Sequence, residues 1–124
     1  MLSTYILNLS KELWGKKWRI AIVWSLKGGP KRFKEIHKEL PGCSVKILSQ
    51  VLKEMEKNQL IIRKQYTSIP VKVTYELSAD MGYLNEALDF YYTQIAKYFH
   101  KNSQIHKIPQ DKLMELESFL HSKK

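Results

Sequence analysis

The dipeptide Pro41-Gly42, inside "FKEIHKELPGCSVKILSQVL", constrains the fold more than any other feature of this chain. Upstream of it, Phe33, Ile36 and Leu40 follow helical spacing, which predicts a short helix from about Phe33 to Glu39. Proline disfavours helical geometry at Leu40 before it, and glycine permits a sharp turn after it. Ser44 is then a good N-cap for a second helical stretch, Ser44 to about Lys57. Two helices joined by so short a connection form a helix-turn-helix pattern.

The flanks complete the outline. Tyr5, Ile6, Leu9 and Leu13 predict a first helix from Ser3 to about Gly15. A second, from about Lys17 to Lys27, is apolar around most of its girth and ends at Gly28-Gly29-Pro30. After Asn58 the period drops to two. Leu60–Tyr66 and Val71–Leu77 predict a hairpin, with Val71, Val73, Tyr75 and Leu77 alternating with Lys72, Thr74 and Glu76. Ser78 is expected to cap a long helix to Phe99, and Pro109 to occupy the first position of a last one, Gln110 to about Leu120. The expected fold class is α+β, mostly helical.

Charge locates the working half. The formal net charge is +9, and all of it lies before residue 65: 14 Lys+Arg against 5 Asp+Glu there, 7 against 7 afterwards. A cationic half implies a polyanionic partner. No apolar run approaches the roughly 20 residues of a membrane span, no signal peptide is expected, and a single cysteine suits a reducing cytoplasm.

Projected at about 100° per residue, Leu48, Val51, Leu52 and Met55 share one side of the Ser44–Lys57 helix. Lys46, Ser49, Gln50, Lys53 and Lys57 share the other, with Glu54 and Glu56 on its flanks. Lysine attracts phosphate, while serine and glutamine can bond phosphates or base edges. That face, with Ser44 as a further candidate DNA contact at its front end, fits a helix that enters the major groove. Lys31, Arg32 and Lys34, at the start of the preceding helix, are candidate phosphate clamps, and Arg63 and Lys72 are candidates on the hairpin. The tryptophans Trp14, Trp18 and Trp24, with Phe33, are expected to anchor the core and a dimer. The aromatic run "FYYTQIAKYF" is expected to form a self-associating surface.

Taken in order, "GKKW" at Gly15, "GPKRFKEI" at Gly29, "LPGCSVKILSQVLKEME" at Leu40 and "VTYELSADMG" at Val73 resemble the HxlR-type winged helix-turn-helix transcriptional regulators. The resemblance runs from about Asn8 to Phe99. It implies a homodimeric, prokaryotic regulator of double-stranded DNA, with repression the expected sign. The helix at Ser44–Lys57 would lie in the major groove of a palindromic operator. The hairpin would be a wing with its tip near Thr67–Pro70, and Ser3–Leu13 and Ala79–Phe99 would make the dimer. On that basis residues 1–100 form the DNA-binding domain with its dimerisation helices, and residues 101–124 a C-terminal extension. Several members of this family sense oxidants through a cysteine before the first helix. Residues 1–42 hold none, so Cys43 in the turn is the only candidate redox sensor.

Other readings are weaker. No phosphate-binding loop, dinucleotide fingerprint or nucleophile elbow is present, so an enzyme is not expected. His37, His100, His106 and His121 lack metal-ligand spacing, and no cofactor or metal is expected. His37 is read simply as a partly exposed helix residue. A winged helix that has lost DNA and binds a protein partner stays open as the alternative. Any small-molecule effector is unspecified.

Overall fold

A short helix ends at a turn whose glycine, Gly42, has φ +86°, a conformation that costs glycine little and other residues more. Around that turn the computed structural model describes residues 2–123, except the side chains of Leu2, Ser3, Glu12 and Trp14. Trp14, expected as an anchor, therefore lies outside the described side chains. The order is α1 (Leu2–Trp14), α2 (Arg19–Leu26), α3 (Phe33–Lys38), α4 (Val45–Lys57), β1 (Ile61–Tyr66), β2 (Lys72–Leu77), a 3-10 turn (Ala79–Met81), α5 (Gly82–Lys101) and α6 (Gln110–Ser122). The protein is thus mostly helical with one two-stranded antiparallel wing. Among the described residues, no helix is long and apolar enough to cross a membrane.

Two compact units divide the chain, residues 1–81 and 82–124. In the first, Ile22, Val23 and Leu26 of α2 are buried, as are Ile36 of α3 and Leu48, Leu52 and Met55 of α4. Leu40, Leu60, Ile61 and Met81 are buried with them. Burying side chains of this size contributes roughly 1.5–3 kcal/mol each before the entropy of ordering is subtracted. All of these residues belong to the first unit, which holds both α3 and α4.

The wing is a hairpin in which Ile61 pairs with Leu77 and Tyr66 with Lys72. A separate bridge joins its second strand to Lys31. Lys31 N–H donates to the Tyr75 carbonyl at 2.9 Å, and Tyr75 N–H donates to the Lys31 carbonyl at 2.8 Å. The segment before α3 is thereby stitched to the outer edge of β2.

Three local expectations change. On β2 the most buried residue is Thr74, whereas Val73, Tyr75 and Leu77 are half-buried and Val71 is exposed. Alternation located the strand but not the face the protein covers. Ser78 does not cap a helix with its side chain; its hydroxyl donates to the Gln59 carbonyl at 2.8 Å, tying the end of the wing to the end of α4. A 3-10 turn follows, and α5 starts at Gly82. Pro109 is the N-cap of α6, not its first helical residue, with φ −59° and ψ 151°.

In the second unit, α5 packs against α6, and Leu88 and Ala96 of α5 are buried. His100 meets Glu117 at 3.1 Å, and Lys123 Nζ meets Asp89 Oδ1 at 2.5 Å. Tyr98, Phe99 and His106 form a ring cluster, Phe99 and His106 edge-on at 4.8 Å. Tyr83, Phe90, Tyr91 and Tyr98 stay exposed within this unit.

Candidate nucleic-acid interface

The front of α4 is built by its cap and its turn. Ser44, in extended conformation, accepts a hydrogen bond from the Ile47 N–H at 3.1 Å through Oγ, satisfying one of the orphan donors of the first turn. Ahead of it, the ring Nε2–H of His37 donates to the Cys43 carbonyl at 2.7 Å. His37 also stacks on Phe33, with centroids 6.3 Å apart. This histidine pins the turn to α3, a role that sequence spacing did not reveal.

Leu48, Leu52 and Met55 face the core, while Val51 is only half-buried. The buried arc is therefore narrower than the apolar residues suggest. On the open side, Lys46, Gln50, Lys53 and Lys57 are exposed, and Ser49 is half-buried at the edge. Among the described residues, Lys46, Gln50 and Lys53 have no side-chain partner. Val45 and Ile47, which the projection left out, are exposed too, at 58% and 40%.

The carboxylate that could spoil this face is held. Arg19 of α2, 1% exposed, places Nη2 3.4 Å from Glu54 Oε2, and Lys16 Nζ lies 3.5 Å from the same oxygen. Two cations thus offset Glu54, and the adjoining surface stays cationic. A hollow of about 430 Å³ lies beside this front end, lined by Lys17, Trp18, Gly42, Cys43, Ser44, Ile47 and Val51. Cys43 is 5% exposed, with Sγ 3.7 Å from the Ser44 carbonyl.

The three cations before α3 separate by role. Arg32 and Lys34 are exposed and their side chains have no partner among the described residues. Lys31 is engaged inside the protein, with Nζ 2.5 Å from Glu39 Oε1 and 3.5 Å from Ser25 Oγ. The hydrogen bond from Lys31 holds the Glu39 carboxyl below its ordinary pKa, and Ser25 assists. On the wing, pairing puts Arg63 beside Tyr75 and Lys72 beside Tyr66. Side chains alternate along a strand, so Arg63 and Lys72 project from opposite faces. Lys72 Nζ lies 5.4 Å from the centre of the Tyr66 ring, and Arg63 reaches Gln65 Oε1 at 3.4 Å. Lys64, on the Lys72 face, is bound to Glu76 at 2.7 Å, which raises its pKa. The tip carries Ile69, fully exposed.

Trp24 and Trp18 stand at the surface of the unit, not at its centre. Trp24 is 37% exposed with Lys27 Nζ 4.7 Å over its ring, and half-buried Trp18 has Lys17 Nζ at 5.0 Å. Such lysines shield an aromatic face and gain a modest cation–π attraction.

Known proteins share this fold. The chain is similar to the HTH-type transcriptional regulator YodB of Bacillus subtilis, 46% identical over 67 residues, which are 54% of this chain and 60% of YodB. It is 38% identical over 75 residues to the HTH-type regulator YkvN of the same organism, covering 60% of this chain and 63% of YkvN. The aligned segment thus spans less than two thirds of either relative. Among solved structures, reduced YodB superposes with a TM-score of 0.61 at 34% identity, covering 70% of this chain and 88% of that one. A MarR-family regulator from Enterococcus faecalis gives 0.72 at 27% identity, covering 82% and 92%. The HxlR-like helix-turn-helix family profile matches residues 13–104. With that match spanning most of the chain and laid over the wing and the capped α4, the chain belongs to the HxlR-like helix-turn-helix family of transcriptional regulators.

Proposed function

We propose that the chain is a homodimeric repressor that binds a palindromic operator, with α4 in the major groove and the wing on the flanking backbone or minor groove. The observation that carries this reading is the open face of α4, where Lys46, Gln50 and Lys53 are exposed with no side-chain partner among the described residues. Lys46 and Gln50 are the base readers, and Ser49 and Lys53 bond the edges of the groove or its phosphates. Ser44 sets the helix start. Arg32 and Lys34 clamp phosphate, with Lys31 behind them as their brace through Glu39. Of the wing cations, Arg63 and Lys72 take different surfaces, since they leave the hairpin on opposite sides.

Dimerisation uses α1, where Tyr5, Ile6, Leu7 and Leu9 are exposed, and α5, where Tyr83, Phe90 and Tyr91 are. Large apolar side chains left open along a helix are typical of surfaces that meet a copy of themselves. The domain is residues 1–100 and the extension residues 101–124. Two copies of α4 would then sit about 34 Å apart, one turn of duplex. The protein works in the cytoplasm, on the nucleoid. YodB has been solved in reduced, diamide-treated and quinone-bound forms. Cys43 is the one thiol here through which an oxidant could act on the turn.

A mobility-shift series with genomic fragments and rising salt tests the reading. Affinity for one set of fragments should fall steeply as salt rises, because bound phosphates release counterions. Indifference to every fragment would leave the protein-interaction reading in its place.

A further inference from the structure

Val45 and Ile47 stand at the reading end of α4 and are exposed at 58% and 40%. Both are β-branched, which costs rotamer freedom in a helix, and neither is among the buried residues that hold α4 to the core. The Ile47 amide serves the Ser44 cap, but any residue except proline could supply that N–H. Stability therefore gives little reason for two aliphatic side chains on this turn.

Their placement gives another. Lys46 lies between them, and each is turned about 100° from it around the helix axis. A helix with its side chains is about 10–12 Å across and the major groove about 12 Å wide, so a helix entering by its front end has both flanks against base edges. The apolar group presented there by the four bases is the C5-methyl of thymine. We propose that Val45 and Ile47 are specificity-determining residues that pack on thymine methyls next to the base bonded by Lys46 or Gln50. The half-site is thus selected for thymine by aliphatic contact as well as by hydrogen bonds. This inference rests on the DNA-binding reading above.

The test removes single methyl groups. Duplexes that bind the full chain are selected from a random library, and each thymine of the selected half-site is replaced in turn by deoxyuridine. Removing a contacted methyl should weaken wild-type binding about four-fold, the ratio expected for one buried carbon. Val45→Ala or Ile47→Ala should bind the thymine and uracil duplexes equally at that position. Val45→Ala should also melt no lower than wild type, since alanine is the better helix former. A selected duplex indifferent to every methyl, or a methyl effect that persists in both variants, overturns this inference alone. Failure to select any duplex overturns the DNA-binding reading and this inference with it.

Discussion

Arg19, almost wholly buried in α2, reaches Glu54 of α4 at 3.4 Å and so links the hidden side of the protein to the flank of that helix. Glu54 is half open to solvent, which screens the pair. Glu54→Gln should therefore cost only about 1 kcal/mol in urea unfolding. Its effect on DNA should have the opposite sign. Removing a carboxylate beside Gln50 and Lys53 should strengthen non-specific binding in a low-salt titration.

Lys46→Ala and Lys53→Ala should each leave thermal stability within about 0.5 kcal/mol of wild type, because neither side chain has a partner to lose among the described residues. Where either contacts phosphate, the slope of log affinity against log salt should fall by about one for each lysine removed. Gln50→Ala should instead leave the slope alone and relax base preference at one position, at a cost of about 1–3 kcal/mol. Binding isotherms at several salt concentrations separate the two behaviours.

Ser44→Ala removes the acceptor for the Ile47 N–H and should destabilise the protein by about 1 kcal/mol. Ser44→Asp should restore most of that through the same hydrogen bond, while placing a negative charge at the end proposed to face DNA. Recovered melting temperature with lost operator binding is the expected pair of results.

The Glu39 carboxyl is held below its ordinary pKa by Lys31, so this pair stabilises the fold at neutral pH. The group is half exposed, which keeps the contribution small. Because the folded-state value is the lower one, the stabilisation is present above the unfolded carboxyl pKa. It is lost as pH falls through the folded value. Glu39→Gln should be less stable than wild type near neutrality, with the gap closing in acid. Urea midpoints measured from pH 7 down to pH 3 check the sign.

Cys43 is 5% exposed, so a bulky aromatic disulfide reagent should modify it far more slowly in the native protein than in denaturant. A native rate equal to the denatured rate would mean that the turn opens freely. Cys43→Ser keeps the size of the side chain and, if oxidation acts through this thiol, should abolish any oxidant effect on DNA binding.

The framework was legible because its signals are local. Proline and glycine at 41 and 42, a capping serine at 44 and a change of period after Asn58 each act within a few residues. What sequence left hidden depends on distant partners. Thr74 is buried and Val71 is not because burial on a wing depends on what lies beneath it. Ser78 looked like a cap, but its hydroxyl found Gln59, brought close only when the hairpin folds back on α4. Lys31 looked like Arg32 and Lys34 in sequence, yet Glu39 and Ser25 engage it. On α4 itself, grouping residues by polarity found Lys46, Gln50 and Lys53 but passed over Val45 and Ile47, whose exposure follows from where the core ends.

The two backbone hydrogen bonds between Lys31 and Tyr75 fasten the wing to the helix-turn-helix. The segment before α3 is bonded to the hairpin at one end and α4 runs into β1 at the other, so the hairpin is held to the helix-turn-helix at two places. Its reach from the reading helix is set like the jaw of a caliper. On the proposed reading, the stretch of double helix that α4 and the wing of one chain would grip has a fixed length, and inserting a base pair into it should unseat one of the two.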